Sequence, residues 1–257
     1  MTAMKLHPIP FLDPDPDFTI FKDAAVAIIP FPFEGNISYE SGTALAPEAI
    51  LKASHYVEFY DEMLEQEPYK MGIATIAMPE IPSQAEEMLK LLRATVSDVL
   101  QQGKFPVVLG GDHSISSACC QACSDHFGEI AVIQFDAHAD LRDTYEESKW
   151  SHASVMARIR EITPHTLQLG IRSLCAEEAK TVKENSLYFF TMHELLANSF
   201  AIDKALDQLP QNVFITLDVD VFDTGLIQHT GTPEPGGIGW YDALALLQKI
   251  FTQKNCV

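Results

Sequence analysis

The chain has 257 residues, 47% hydrophobic and 21% charged, enough apolar material for the core of one α/β-sized domain and too much for a disordered chain. Its 17 basic and 36 acidic side chains leave a formal net charge of −19, which argues against nucleic acid and anionic membranes as partners because the phosphate-neutralising lysines are missing. No apolar run reaches the ~20 residues of a membrane helix, and five cysteines, an odd number, do not suggest a disulfide framework.

Residues 1–23, with Pro8, Pro10, Pro14 and Pro16 among several aspartates, are expected to form an extended N-terminal arm. They lack the basic and apolar regions of a secretory signal, which points to a cytoplasmic protein. From 24 to 257 the pattern is that of a single α/β domain. A strand at 24–29 precedes a helix at 47–64, a strand at 71–78, a helix at 84–102 and a strand at 105–109. Helix 116–125, strand 130–135, helix 153–161, strand 166–171 and helix 176–184 follow, then strand 187–190, helix 193–197, strand 213–218 and helix 241–253. Continuous apolar strands separated by helices imply a mostly parallel sheet with helices on both faces, a three-layer α/β fold. Cys120 and Cys123 form one C-x-x-C inside the helix at 116–125. With no second pair at zinc spacing, a buried helix face accounts for them.

In a parallel sheet, ligands bind beyond the carboxyl ends of the strands, and three apolar runs end in polar clusters. They are Gly110-Gly111-Asp112-His113-Ser114, Asp136-Ala137-His138-Ala139-Asp140 and Asp218-Val219-Asp220. If the backbone stays extended, a period of two puts Asp136, His138 and Asp140 on one side, and Asp218 with Asp220. Any one of these residues alone would be an ordinary turn former or cap. Together, at one edge of one sheet, they would repel or desolvate one another unless a cation sits between them. His113, Asp136, His138, Asp140, Asp218 and Asp220 offer two nitrogens and four carboxylates. That thiolate-free set suits two divalent ions, Mn2+ first, with Zn2+ or Co2+ as alternatives.

Gly-Gly-Asp-His-Ser, Phe-Asp-Ala-His-Ala-Asp, Ser-His-Ala-Ser and Asp-Val-Asp-Val-Phe-Asp, in that order, resemble the ureohydrolases: arginase, agmatinase and their relatives. Ser38-Tyr39-Glu40-Ser41-Gly42-Thr43 before Ala46-Pro47-Glu48-Ala49-Ile50, and Thr230-Gly231-Thr232-Pro233-Glu234-Pro235-Gly236-Gly237, extend the likeness. The resemblance implies an arginase-like fold and a two-manganese site. His113, Asp140, Asp136 and Asp218 would hold one ion; His138, Asp136, Asp218 and Asp220 would hold the other, with Asp136 and Asp218 bridging. It implies hydrolysis of a small guanidino compound to urea and an amine. His152 would be the proton shuttle to the leaving amine, its alternative being a polar helix-end residue with Ser151 as cap. A homo-oligomer, trimer or hexamer, is implied by analogy.

The substrate tail follows from what is missing. Arginases read the α-carboxylate and α-amino groups with an asparagine where this chain has Arg142, and with an acid shortly after the Gly-x-Arg element, where Ser173 and Leu174 follow Arg172. Agmatine, giving putrescine in polyamine biosynthesis, is therefore the expected substrate. The alternatives are a guanidino acid bound through Arg142, a formimino substrate on the same framework, or a metal-binding pseudoenzyme without catalysis. Beyond the helix at 241–253 the chain ends at Val257, where the family continues into a final central strand whose end bears a guanidinium-clamping glutamate. The expectation is a shortened family member lacking that strand, with Glu234 in a different loop from the clamp.

Overall fold

In the computed structural model, which describes residues 4–35, 38–197 and 199–257, the apolar runs form parallel strands in two sheets rather than one. Each sheet belongs to a compact unit of its own.

The first unit, Met1–Glu34 with Gly42–Asp112, holds β1 (Val26–Phe31), β2 (Ile73–Thr75) and β3 (Phe105–Gly110) in the order β2-β1-β3. Its helices are α1 (Ala46–Ser54) and α2 (Ala85–Gln101). The helix expected to run to residue 64 stops at Ser54. Leu51 is its last fully buried apolar residue, whereas Tyr56, Val57, Met63 and Leu64 are exposed, so a longer helix would bury nothing further. A turn replaces it: the backbones of Asp61 and Gln66 bond each other in both directions, with Glu65 at φ +52°. The N-terminal arm, whose first three residues lie outside the described ones, is tied down. Leu6 bridges Ile76, Phe11 N donates to Thr75 Oγ1 (2.8 Å) and Leu12 N donates to Ser54 Oγ (2.8 Å). A 3-10 turn at Pro16–Phe18 interrupts its extended run.

The second unit, Gly35–Ser41 with His113–Val257, contains α3 (Ser116–Phe127), β4 (Ala131–Phe135), α4 (Val155–Ile162), β5 (Thr166–Ile171), α5 (Ala176–Glu184) and β6 (Tyr188–Thr191). It continues with α6 (Met192–Ala197), α7 (Ser199–Gln208), β7 (Asn212–Leu217), α8 (Trp240–Gln253) and β8 (Asn255–Cys256). The sheet order is β6-β5-β4-β7-β8. One face of the sheet, with Ala131, Ile133, Phe135, Leu167, Leu169 and Val213, packs on apolar residues of α6, α7 and α8. Towards α3 the same strands carry polar groups, and Thr216 bonds Ser116 at 2.7 Å. Helices on both faces make three layers. Helix α7 has no counterpart in the sequence expectation, although Ile202, Ala205, Leu206 and Leu209 are buried at the spacing of a helical stripe. Strand β8 also goes beyond it: Asn255 and Cys256 pair in parallel with Asn212 and Val213, where no strand had been expected. Cys119, Cys120 and Cys123 of α3 are free and buried, and burial pushes the Cys123 thiol up to about 12. They offer no thiolate at neutral pH. No helix among the described residues is long and apolar enough to cross a membrane.

Candidate metal centre

The site is built where β4 and β7 stop. Phe135 and Leu217, their last residues, are register partners, so Asp136 and Asp218 follow side by side. Asp218 N donates to Phe135 O (2.9 Å), and Asp136 N to Leu169 O (3.1 Å) of β5. Gly170 makes that approach of β5 possible: at φ +92°, a Cβ there would stand 2.7 Å from Val221 Cγ2 and 3.2 Å from Asp136 O.

Beyond these aspartates the backbone turns, and the extended alternation expected from the sequence does not continue. Asp136 Oδ1 accepts from His138 N (2.7 Å), and Asp140 adopts φ +52°, a left-handed conformation that costs a non-glycine residue energy. Asp218 caps a 3-10 turn, Val219–Val221, its Oδ1 accepting from Asp220 N (3.1 Å). His113 opens another 3-10 turn, His113–Ile115, leading into α3. The six candidates still converge, because two capping turns and one left-handed residue return the side chains to a common point.

They form two groups joined by Asp136. His113 Nδ1 lies 3.0 Å from Asp136 Oδ2, 3.2 Å from Asp140 Oδ2 and 3.4 Å from Asp218 Oδ2. His138 Nδ1 lies 3.5 Å from Asp136 Oδ1 and 3.0 Å from Asp220 Oδ2. Each group can hold a cation, and one carboxylate serves both. The ring of His113 is steadied from behind, its Nε2 2.9 Å from Thr216 Oγ1, and such a partner orients an imidazole ligand. His138 Nε2 lies 3.9 Å from Glu234 Oε1, near enough for charge attraction but beyond a hydrogen bond.

The protein alone leaves this site unbalanced. Burial pushes Asp140 up to about 8, helped by the charge of Asp136. Burial, with Asp220 and Asp136 nearby, pushes Asp218 up to about 7. Burial works against a charged ring at His138, but Asp136 and Asp220 outweigh it and hold the ring up at about 11. Asp136 moves the other way: burial is overcome by the two histidines, and its carboxyl lies well below the usual range. His113 Nδ1 is buried and has no hydrogen-bond partner, although three carboxylate oxygens stand around it. An orphaned ring nitrogen facing three carboxylates is what a divalent cation would satisfy.

The cavity over this cluster is lined by Ser38, Arg142, Tyr145, His152, Leu174 and Thr232 together with candidate ligands. His152 Nε2 is 2.8 Å from Ser38 Oγ, and its ring meets Tyr145 edge-on at 5.8 Å. Ser151 sits at the N-cap position of His152–Ser154 but makes no side-chain cap bond, so the capping alternative has no hydrogen bond behind it. Arg142 places its guanidinium 5.5 Å from the Tyr145 ring centre, and its Nε is 4.0 Å from Glu178 Oε2. Glu178 is not among the residues that the motifs single out: buried, it accepts from Leu141 N (3.0 Å) and Cys175 N (2.7 Å), tying α5 to the loop after Asp140. Its signal was the Cys-x-x-Glu spacing at the start of a helix.

A family profile described as the arginase family matches residues 24–257. The chain is 37% identical over 247 residues to the N(1)-aminopropylagmatine ureohydrolase of Synechocystis sp., covering 93% of this chain and 81% of that protein. It is 31% identical to the agmatinase of Pyrococcus horikoshii, covering 91% and 81%. The crystal structure of agmatine ureohydrolase of Thermoplasma volcanium superposes with a TM-score of 0.84 at 25% identity, covering 100% of this chain and 85% of that one.

Proposed function

We propose, on the premise that the chain belongs to the arginase family and is a ureohydrolase, that it holds two Mn2+ ions and cleaves agmatine to urea and putrescine. One observation carries the two-ion reading: Asp136 turns one oxygen to His113 and the other to His138. The donor set, two imidazoles and four carboxylates, favours manganese over softer metals. His113, Asp136, Asp140 and Asp218 would hold one ion, and His138, Asp136, Asp218 and Asp220 the other. When bound, such a pair supplies an activated water at neutral pH, which a resonance-stabilised guanidinium needs as nucleophile. His152, facing the same cavity and within 2.8 Å of Ser38 Oγ, hands a proton to the departing amine.

Agmatine is favoured over arginine because Arg142, and Ser173 with Leu174, stand where arginases read the amino-acid head. A second reading, the longer amine aminopropylagmatine, is favoured by the name of the Synechocystis relative. Manganese-loaded protein should be given agmatine, aminopropylagmatine, arginine, a guanidino acid and a formimino acid, with urea, formamide and ammonia all measured. Urea from a guanidino amine is the expected result, and the ratio of kcat/KM values names the tail. Formamide would move the reaction to formimino hydrolysis, and bound metal with no product at all would make the chain a pseudoenzyme.

A further inference from the structure

Two glutamines lie inside the second sheet. Gln134 of β4 and Gln168 of β5 are register partners, and both are fully buried. Strands covered on both faces are normally unbroken apolar runs, yet these two residues interrupt Val132-Ile133-Gln134-Phe135 and Leu167-Gln168-Leu169. Neither belongs to the six candidate ligands or to the lining of the cavity.

Their hydrogen bonds run in one direction. Gln168 Nε2 donates to Ala139 O (2.7 Å) and to Gln134 Oε1 (2.5 Å). Gln134 Nε2 donates in turn to Asp136 Oδ2 (2.7 Å). A backbone carbonyl and an ionised carboxylate can only accept, so neither amide can flip without setting oxygen against oxygen. The orientation is therefore determined by the protein alone. It leaves Gln168 Oε1 buried without a hydrogen-bond partner, a penalty that an apolar pair in these positions would avoid.

Asp136 is the carboxylate shared by the two groups, and its rotation decides whether both can be served at once. His138 N fixes Oδ1, and Gln134 Nε2 fixes Oδ2. One donor on each oxygen leaves a further lone pair on each for the two half-sites. Without the Gln134 bond the His138 N–H remains on Oδ1 while Oδ2 keeps only its charge contact with His113, so the carboxylate is held less firmly against rotation.

We infer that Gln134 and Gln168 are positioning residues for the metal centre, a relay that holds Asp136 in its shared orientation and thereby sets affinity for the ions. The inference rests on the two-ion reading of the site. Its test is calorimetric titration of the metal-free full chain with Mn2+ alone, comparing wild type, Gln134→Met, Gln168→Met and the double variant. Gln134→Met should raise the Kd about 10–100-fold, the usual cost of losing a group that orients a ligand. Gln168→Met should raise it by a smaller factor, and the double variant should bind no more weakly than Gln134→Met, because Gln168 acts through Gln134. A purely structural role would shift the melting temperature of the metal-free protein and leave the Kd in place. A Kd within twofold of wild type in either folded variant overturns the relay. If Gln134→Met does not fold, Gln168→Met, which keeps the bond to Asp136, decides alone. In the wild type, a Gln134 side-chain amide proton at an unbonded chemical shift overturns the relay whatever the variants do. Wild type that takes up no Mn2+ refutes the two-manganese reading itself, a different failure from wild type and variants binding equally well.

Discussion

Arg172 Nη2 donates to the backbone carbonyl of Asp220 at 2.6 Å. The same guanidinium reaches Glu234 O (2.7 Å), Pro235 O (3.0 Å), Val221 O (3.3 Å) and Phe222 O (3.4 Å), so one side chain after β5 ties together the turn bearing Asp220 and the loop bearing Glu234. Lysine has three donors and no planar fork. Arg172→Lys should destabilise the protein by about 2–3 kcal/mol, the scale of one or two lost charge-assisted bonds, and weaken metal retention on the His138 side. Thermal unfolding and metal content after dialysis measure the two effects. An unchanged melting temperature would mean that the loops hold themselves.

Asp136→Asn removes the charge shared by both groups. Metal content, turnover and the stability gained from metal should fall together, because bound ions stabilise only the folded chain. With Mn2+ at one hundred times its Kd, each wild-type ion contributes about 2.7 kcal/mol. The variant should lose most of that difference between metal-loaded and chelated samples. Wild-type metal content in it would contradict the bridging role.

His152→Ala should keep both ions and the metal-dependent rise in melting temperature, while turnover falls ~10²–10⁴-fold. Metal analysis and kcat on one preparation make the test. Full turnover would return His152 to a merely local role beside Ser38.

The metal-free protein should lose stability as pH rises. Asp140 and Asp218, pushed up to about 8 and about 7 from 3.8, favour the fold fully below their unfolded values and lose that contribution as pH climbs through 7 to 8. His138, held up at about 11 from 6.5, has the same sign, its contribution declining above 6.5. The melting temperature of chelated protein should therefore fall from about pH 6 to about pH 9, and metal affinity should rise over the same interval because ions displace those protons. A flat or rising melting temperature would show that the carboxylates are not held protonated.

The strands that carry the site were legible because a buried parallel strand is a run of apolar residues, and Val132-Ile133 and Phe214-Ile215 can be little else. The six converging residues were legible for a related reason: each cluster begins where such a run stops. Their geometry was not. A period of two holds only for extended backbone, whereas Asp140 is left-handed and Asp218 turns the chain by accepting from Asp220 N. The division into two sheets was equally hidden, since an apolar strand does not declare its neighbours. The apolar pattern overstates α1 because Met63 and Leu64 continue it without being buried, whereas Ile202, Leu206 and Leu209 are a short stripe that only burial marks as the helical face of α7. Arg172, Gln134 and Glu178 act on backbone or on another side chain, and a linear pattern does not record such contacts.

The most direct test of the two-ion centre is an anomalous-difference map from crystals of the protein grown with Mn2+. Two peaks about 3.5–4 Å apart are expected, one beside His113 and Asp140, the other beside His138 and Asp220, with Asp136 between them. A single peak, or two that do not share Asp136, would contradict it.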